Sequence, residues 1–247
     1  MSSFKIGAAS VTFRNKTVEE IVEICKKEQV EYIEWGADVH VITKDDAVKA
    51  KELCDKANIK ISSYGSYYSV GSNKPDEWKM LCENARIMGA ESIRVWLGKK
   101  DSEKTGDSEY KSILNDCKAI CDVAKKYNII VSTECHDNTF NNNTDAILRF
   151  IKDLGRDNFR TYFQSRYFRM EYDLDRIDRT FDRILNMHVS YSDLKREQRF
   201  RKKDKNYLDT LLKKMLSKNF NGVVILEFTK NSNEKEFAED IKKLKTY

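Results

Sequence analysis

The sequence predicts a single (β/α)8 barrel of the TIM type, an α/β fold that takes up residues 1–247 as one domain. Three observations predict it. Short β-rich runs alternate with amphipathic helical patterns, consecutive hairpins are missing, and eight such units fill 247 residues. An open doubly wound sheet is the alternative, but no glycine-rich nucleotide fingerprint follows the first strand.

The predicted strands are short runs rich in β-branched and aromatic residues. They cover Phe4–Ala9, Tyr32–Gly36, Ile59–Tyr64, Ser92–Leu97, Ile129–Cys135, Arg160–Gln164, Leu185–Ser190 and Val223–Phe228. The segments between them repeat apolar residues at helical spacing, with polar residues on the opposite face. They predict helices over Thr17–Lys27, Asp45–Ala57, Asp76–Met88, Ser108–Tyr127, Thr144–Leu154, Leu174–Ile184, Tyr207–Ser217 and Glu234–Leu244. Thr17 and Glu20 form a capping-box pattern that marks the start of the first helix.

Composition and charge describe a globular chain rather than a membrane protein or a nucleic-acid-binding tail. Charged residues make up 34% and hydrophobic residues 40%, and no apolar run approaches the roughly 18 residues that a membrane span needs. The opening MSSFKIGAAS is unlike a secretory signal, so we expect a cytoplasmic protein. The six cysteines lie in helical patterns or a strand, which favours reduced thiols over disulfides or a metal site.

Ligand-type side chains lie at the ends of the last four strands. Glu134, Gln164, His188 and Glu227 end strands five to eight. The carboxyl ends of barrel strands meet at one mouth, where these oxygen atoms and one imidazole could converge on a divalent cation. A glutamate on the apolar strand VVILEF is costly to bury unless it is paired, protonated or bound to a metal.

This order of strand ends, together with IEWGADVH after the second strand, resembles the xylose isomerase-like barrels, which include sugar phosphate isomerases and epimerases. The resemblance covers essentially the whole chain. It implies that Glu134 and Glu227 are both metal ligands and the acid and base, and that His188 and Gln164 complete the metal site. Gln164 stands where the family typically has Asp, although a subgroup also carries Gln there. The exchange removes one negative charge, so we expect weaker metal retention.

The resemblance implies a metal-dependent sugar or sugar-phosphate isomerase or epimerase. One carboxylate would remove a proton next to a carbonyl, and the other would return a proton to the enediolate. Oxygen-rich ligation with one imidazole favours Mn, Mg or Co, with Zn possible. The residues do not separate epimerisation from isomerisation.

Further residues are candidates for contact with substrate. His136 shares the parity of Glu134, and Arg94 and Trp96 share one face of strand four. Glu34 either contacts substrate or forms a buried ion pair with Arg94. The remaining candidates are in loops, namely His40 after strand two and Arg166 after strand six, and three tyrosines of SYGSYYS (63–69) are expected after strand three.

The excess positive charge is confined to one stretch. Residues 195–205 contain seven Lys or Arg and two Asp or Glu, and this +5 equals the net charge of the chain. The stretch follows strand seven, near the place where barrels often bind phosphate, so it favours an anionic small molecule such as a sugar phosphate.

Three other functions remain open. One is a barrel that binds a small molecule without turnover, and another is a polyol-ketone dehydratase. The third is an abasic-site nuclease, which three histidines in the whole chain make unfavourable. We therefore expect a small-molecule partner, neither nucleic acid nor membrane, and a possible homodimer.

Overall fold

The computed structural model describes residues 4–165, 168–192 and 206–247. Eight parallel strands form a closed barrel in chain order, with the first strand paired to the eighth. The strands are β1 (Lys5–Ala9), β2 (Tyr32–Gly36), β3 (Lys60–Val70), β4 (Ser92–Leu97), β5 (Ile130–Thr133), β6 (Phe159–Phe163), β7 (Ile184–Val189) and β8 (Val223–Leu226). The predicted (β/α)8 barrel is confirmed.

Helices lie between the strands in the described ranges. They are α1 (Val18–Lys27), α2 (Lys44–Lys56), α3 (Pro75–Met88), α4 (Asp107–Lys126), α5 (Thr144–Leu154), α6 (Met170–Thr180), α7 (Tyr207–Ser217) and α8 (Glu234–Leu244). The Thr17 side chain accepts a hydrogen bond from the Glu20 amide, and the Glu20 carboxylate accepts one from the Thr17 amide. The predicted capping box is therefore present and fixes the start of α1.

Alternation along the strands separates an apolar layer inside the barrel from the polar mouth above it. A buried cluster of Ala9, Val11, Tyr32, Tyr162, Val223 and Ile225 is distinct from the main core. Three members of this cluster lie two residues before a polar residue of the mouth: Tyr32 before Glu34, Tyr162 before Gln164 and Ile225 before Glu227. Side chains two residues apart on a strand point to the same face, so the apolar cluster lies beneath the polar side chains. The main core packs the opposite face of the strands against the helices.

Strand β3 corrects one prediction. It continues to Val70 rather than ending at Tyr64, so SYGSYYS belongs to the strand instead of following it. The pairing with β4 shifts register between Gly65 and Ser69, and Tyr67 has a φ of 55° within this irregularity. Such a bulge lets a strand continue after its regular alternation is broken, which a period-two pattern does not reveal.

Other boundaries also differ from the sequence prediction, among them the end of β5 and both ends of α6. Strand β5 ends at Thr133 rather than Cys135, because the side-chain amide of Asn141 donates to the Glu134 carbonyl (2.8 Å) at the strand end. Helix α6 starts at Met170 and ends at Thr180, whereas the helical pattern predicted Leu174–Ile184. Its apolar periodicity continues through a 3₁₀ turn (Phe181–Arg183) into β7, which hides the true end.

The six cysteines all lie in the described residues, are buried, and form no disulfide there. The expectation of reduced thiols agrees with this arrangement. No helix in the described ranges has the length and apolar character that a membrane crossing requires.

Candidate metal centre

Three buried side chains from the ends of β5, β7 and β8 form the centre of the barrel mouth. Glu134 directly follows β5, His188 lies in β7, and Glu227 directly follows β8. Each offers one atom that could bind a metal, and these atoms all lie within 4.8 Å of one another. The closed barrel brings them together although Glu134 and Glu227 are 93 positions apart in the sequence.

The Nδ1 atom of His188 faces three oxygen atoms at once. It lies 3.1 Å from Gln164 Oε1, 3.3 Å from Glu227 Oε2 and 3.5 Å from Glu134 Oε2. The four residues predicted as metal ligands are thus neighbours in the structure, with their side-chain atoms directed at one point.

This donor set fits a divalent cation. A ring nitrogen carries at most one hydrogen, so hydrogen bonding alone does not account for three oxygen atoms around it. Ligands at right angles about a cation, with bonds of about 2.1 Å, lie about 3 Å apart, close to the spacing seen here. Two carboxylates, one amide oxygen and one imidazole are ligands that suit Mn, Mg or Co, and Zn also accepts them.

Behind this centre, Arg94 of β4 joins two buried glutamates. Its Nε donates to Glu34 Oε1 (3.2 Å), and its Nη1 donates to Glu134 Oε1 (2.5 Å). The Trp96 indole N–H also donates to Glu134 Oε1 (2.9 Å). Two donors therefore hold Oε1 of Glu134, while its Oε2 faces His188.

The charges in the network perturb the ionisation of its members. Burial by itself would raise the pKa of Glu134, but Arg94 and His188 outweigh it and hold that pKa at about 2. Burial opposes ionisation of Glu34 too, yet Arg94 and His188 keep the Glu34 pKa well below its usual range. Burial lowers the pKa of His188, whereas Glu227, Glu34 and Glu134 raise it well above the ordinary value. Glu134 and Glu34 are thus ionised at neutral pH.

Aromatic side chains form one side of the mouth beside Glu134. Trp96 stacks on His136, with ring centroids 4.9 Å apart and planes inclined by 19°. The Tyr67 ring also lies near Trp96, with ring centroids 5.6 Å apart and planes inclined by 60°. Trp96 and His136 are only partly buried, so these two predicted substrate contacts lie near the solvent-facing side of the site. Of the three tyrosines of the 63–69 segment, Tyr64 and Tyr68 are buried in the main core.

His40 is held by the protein itself. Its Nδ1 lies 2.9 Å from Ser10 Oγ and its Nε2 lies 3.2 Å from the Phe13 carbonyl. The ring is 6% exposed and packs edge-on against Trp35. Since both ring nitrogens have protein partners, the structure gives His40 a role in joining the turn after β1 to the end of β2.

Two sequence predictions concern residues outside the described ranges. Arg166, expected to contact substrate, is one of them, and the basic residues 195–205 are the other. Their parts in the site stay predictions.

A pocket opens beside the proposed metal-ligating atoms. His188, Gln164 and Glu227 line it together with Ser165 and Tyr207. Ser165 and Tyr207 both hydrogen-bond the buried carboxylate of Asp173, one helical turn into α6. Sequence reasoning missed this group because Ser165, Asp173 and Tyr207 match no motif, and only the fold brings them together.

The fold and the site define a TIM barrel with a candidate metal centre of two glutamates, a glutamine and a histidine at its mouth. The xylose isomerase-like TIM barrel profile matches residues 16–247, and the chain belongs to that family. No curated protein matches the sequence significantly.

Solved structures share the fold at low sequence identity. The probable 3-DHS dehydratase AsbF of Bacillus anthracis is 14% identical, with a TM-score of 0.79 over 97% of this chain and 98% of its own. The 3-keto-D-glucoside 4-epimerase YcjR of E. coli is 13% identical, with a TM-score of 0.78 over 99% of this chain and 100% of its own. D-psicose 3-epimerase of Clostridium cellulolyticum H10 is 14% identical, with a TM-score of 0.70 over 94% and 90%.

Proposed function

We propose that this chain is a divalent-metal-dependent isomerase or epimerase of a sugar or sugar phosphate. The observation that carries the proposal is the convergence of Glu134, Gln164 and Glu227 oxygens on Nδ1 of His188. Family membership and structural neighbours that include sugar epimerases support the reaction class.

The four side chains would hold Mn²⁺, Mg²⁺ or Co²⁺, or alternatively Zn²⁺. Such a cation supplies Lewis acidity, which stabilises negative charge on substrate oxygens next to the reacting carbon. The remaining chemistry is proton transfer by the two glutamates. One ionised carboxylate would take the proton from the carbon beside a carbonyl, giving an enediolate, and the other glutamate, which has to be protonated when substrate binds, would deliver its proton. Delivery to the same carbon from the opposite face gives an epimer, while delivery to the neighbouring carbon, together with a proton shift between the two oxygens, gives an aldose–ketose isomer.

Substrate would lie over the mouth, against the aromatic side formed by Trp96 and His136. The apolar face of a sugar packs well on an indole, and the His136 ring adds polar atoms for a hydroxyl. We further propose that Arg166 and the basic residues 195–205 contact an anionic group of the substrate, as their sequence positions near the mouth suggest.

A dehydratase acting on a polyol ketone is the second candidate, because dehydration begins with the same removal of a proton beside a carbonyl. The structural similarity to a probable 3-DHS dehydratase favours keeping it. An abasic-site nuclease is less favourable. In the described ranges only His188 points to the metal centre, since His40 is bonded to Ser10 and Phe13, and His136 stacks on Trp96.

The test combines metal analysis with hydrogen exchange. Protein purified without chelator is assayed for bound metal, then incubated in deuterium oxide with ketoses, ketose phosphates and inososes in turn. We expect the protein to contain a divalent metal and deuterium to appear at a substrate carbon. Both the exchange and the turnover should be lost in Glu227→Gln. Absence of any metal, even after reconstitution with Mn²⁺, would refute the metal assignment. A thermal shift on ligand addition without carbon exchange would instead indicate a binding protein without turnover.

A further inference from the structure

We propose that Glu34 is a positioning residue that orients His188 for metal binding, rather than a residue that contacts substrate. The inference rests on the proposed function, because it assigns a part of the same metal site. It concerns a residue for which the sequence leaves both substrate contact and a buried ion pair with Arg94 open.

Both carboxylate oxygens of Glu34 are directed at protein groups. Oε2 accepts a hydrogen bond from Ser63 Oγ (2.6 Å), and Oε1 accepts one from Arg94 Nε (3.2 Å). Oε1 also lies 3.2 Å from His188 Nε2. The residue is 2% exposed, so it has almost no surface with which to meet a substrate.

Metal binding through Nδ1 of His188 requires that the ring hydrogen sit on Nε2. A carboxylate next to the outer nitrogen of a metal-bound histidine stabilises that tautomer and fixes the ring direction. Glu34 Oε1 lies at ion-pair distance from Nε2, although the N–H direction in this structure is not aligned for a hydrogen bond. Among the described residues, no group forms a hydrogen bond with Nε2, and Glu34 is the carboxylate at ion-pair distance from it. Glu34 is thus in place to hold this proton.

Arg94 extends the same arrangement to a second ligand. Its guanidinium binds Glu34 Oε1 and Glu134 Oε1, which leaves Glu134 Oε2 and His188 Nδ1 facing each other across 3.5 Å. The positive charge of Arg94 balances Glu34, so Glu34 adds no net charge to the centre. Its removal would loosen His188 and leave Arg94 less compensated beside Glu134, and both effects oppose binding of a cation.

The experiment measures Mn²⁺ affinity by the electron paramagnetic resonance signal of free Mn²⁺, for wild type and Glu34→Gln. We expect the variant to bind Mn²⁺ about 10–100-fold more weakly, the effect typical of groups that orient metal ligands. Asp116→Asn is the matched control. Asp116 is also a buried acid, but it accepts hydrogen bonds from the Gly71 and Asn73 amides in a loop after β3. We expect that control to keep wild-type Mn²⁺ affinity.

A second measurement reports directly which nitrogen of the His188 ring carries the hydrogen. With Zn²⁺ bound, imidazole ¹⁵N spectra of the three histidines should show His188 hydrogenated at Nε2 in wild type, with that signal weakened or exchange-broadened in Glu34→Gln. If Glu34→Gln unfolds, Glu34→Asp replaces it, because the shorter acid keeps the charge but cannot reach both Arg94 and His188. Unchanged Mn²⁺ affinity with a raised KM would overturn the inference in favour of substrate contact. If wild type itself binds no Mn²⁺, the proposed function is refuted, and this inference is refuted together with it.

Discussion

With Gln164 as a ligand, the candidate metal centre would be neutral once a divalent cation is bound. Glu134 and Glu227 bring two negative charges, and the buried pair of Glu34 and Arg94 brings none. With glutamine at position 164 the two glutamates would therefore balance the charge of a divalent cation, whereas aspartate there would leave one negative charge. A neutral amide oxygen is a weaker ligand than a carboxylate, which is the physical basis for expecting weak metal retention.

Gln164→Asp should therefore bind Mn²⁺ more tightly than wild type, by about tenfold, or about 1.4 kcal/mol. The added carboxylate attracts the cation directly, and its shorter side chain is the length that the family typically carries. Titration calorimetry with Mn²⁺ measures the change, and Gln164→Ala, which removes the ligand oxygen, should bind more weakly. Affinity that is equal in all three proteins would show that position 164 is not a ligand.

At the scale of elements, one buried carboxylate links the loop after β6 to the start of α7. Asp173 in α6 is fully buried, and its Oδ2 accepts hydrogen bonds from Ser165 and from the Tyr207 hydroxyl. Burial raises the pKa of Asp173, while those two donors and Arg176 favour its charged form. Ser165 directly follows Gln164, so this cluster also restrains the strand end that carries a proposed ligand.

Tyr207→Phe should lower the free energy of unfolding by about 1–3 kcal/mol, because it leaves a buried carboxylate with one donor fewer. Tyr247→Phe is the matched control, since the Tyr247 hydroxyl donates to Asp209 (2.9 Å) near the surface. The control should change stability by less than about 0.5 kcal/mol. Urea denaturation followed by circular dichroism gives both values, and equal effects in the two variants would contradict a special role for Asp173.

At the scale of the whole molecule, the fold buries all six cysteine thiols. Burial raises the pKa of Cys54 to about 11 and that of Cys82 to about 12. It also raises the pKa of Cys25 and Cys117 well above the ordinary value. Reaction of a thiol requires both the thiolate and access to it; the fold denies access to all six thiols and, for these four, also disfavours the thiolate.

We therefore expect the native protein to resist Ellman's reagent at pH 8, with all six thiols reacting once urea unfolds the chain. The raised pKa values keep Cys25, Cys54, Cys82 and Cys117 protonated at that pH, and burial denies the reagent access to all six thiols, so the slow native reaction should follow the fraction of unfolded chain. The absorbance of the released thionitrobenzoate measures the reaction. Rapid labelling of even one cysteine below the unfolding transition would indicate a local opening near that residue.

The sequence by itself determined the barrel, its chain order and the strand ends that carry the four proposed ligands. Alternating strand and helix patterns specify the architecture because each element must bury one apolar face. The polar residues Glu134, Gln164, His188 and Glu227 were recognisable because each ends a strand that is otherwise largely apolar. Parallel strands in a barrel end at one mouth, so these residues had to be neighbours once the fold was known.

Only the tertiary structure decided how the neighbouring side chains are used. Glu34 was open between substrate contact and an ion pair with Arg94, and the structure shows that pair, with His188 beside it. His40 was expected near substrate, but its two nitrogens meet Ser10 and Phe13. The irregular course of β3 was likewise invisible in the pattern. Periodicity fixes the face on which a side chain lies, whereas its partners depend on distances between strands that are remote in sequence.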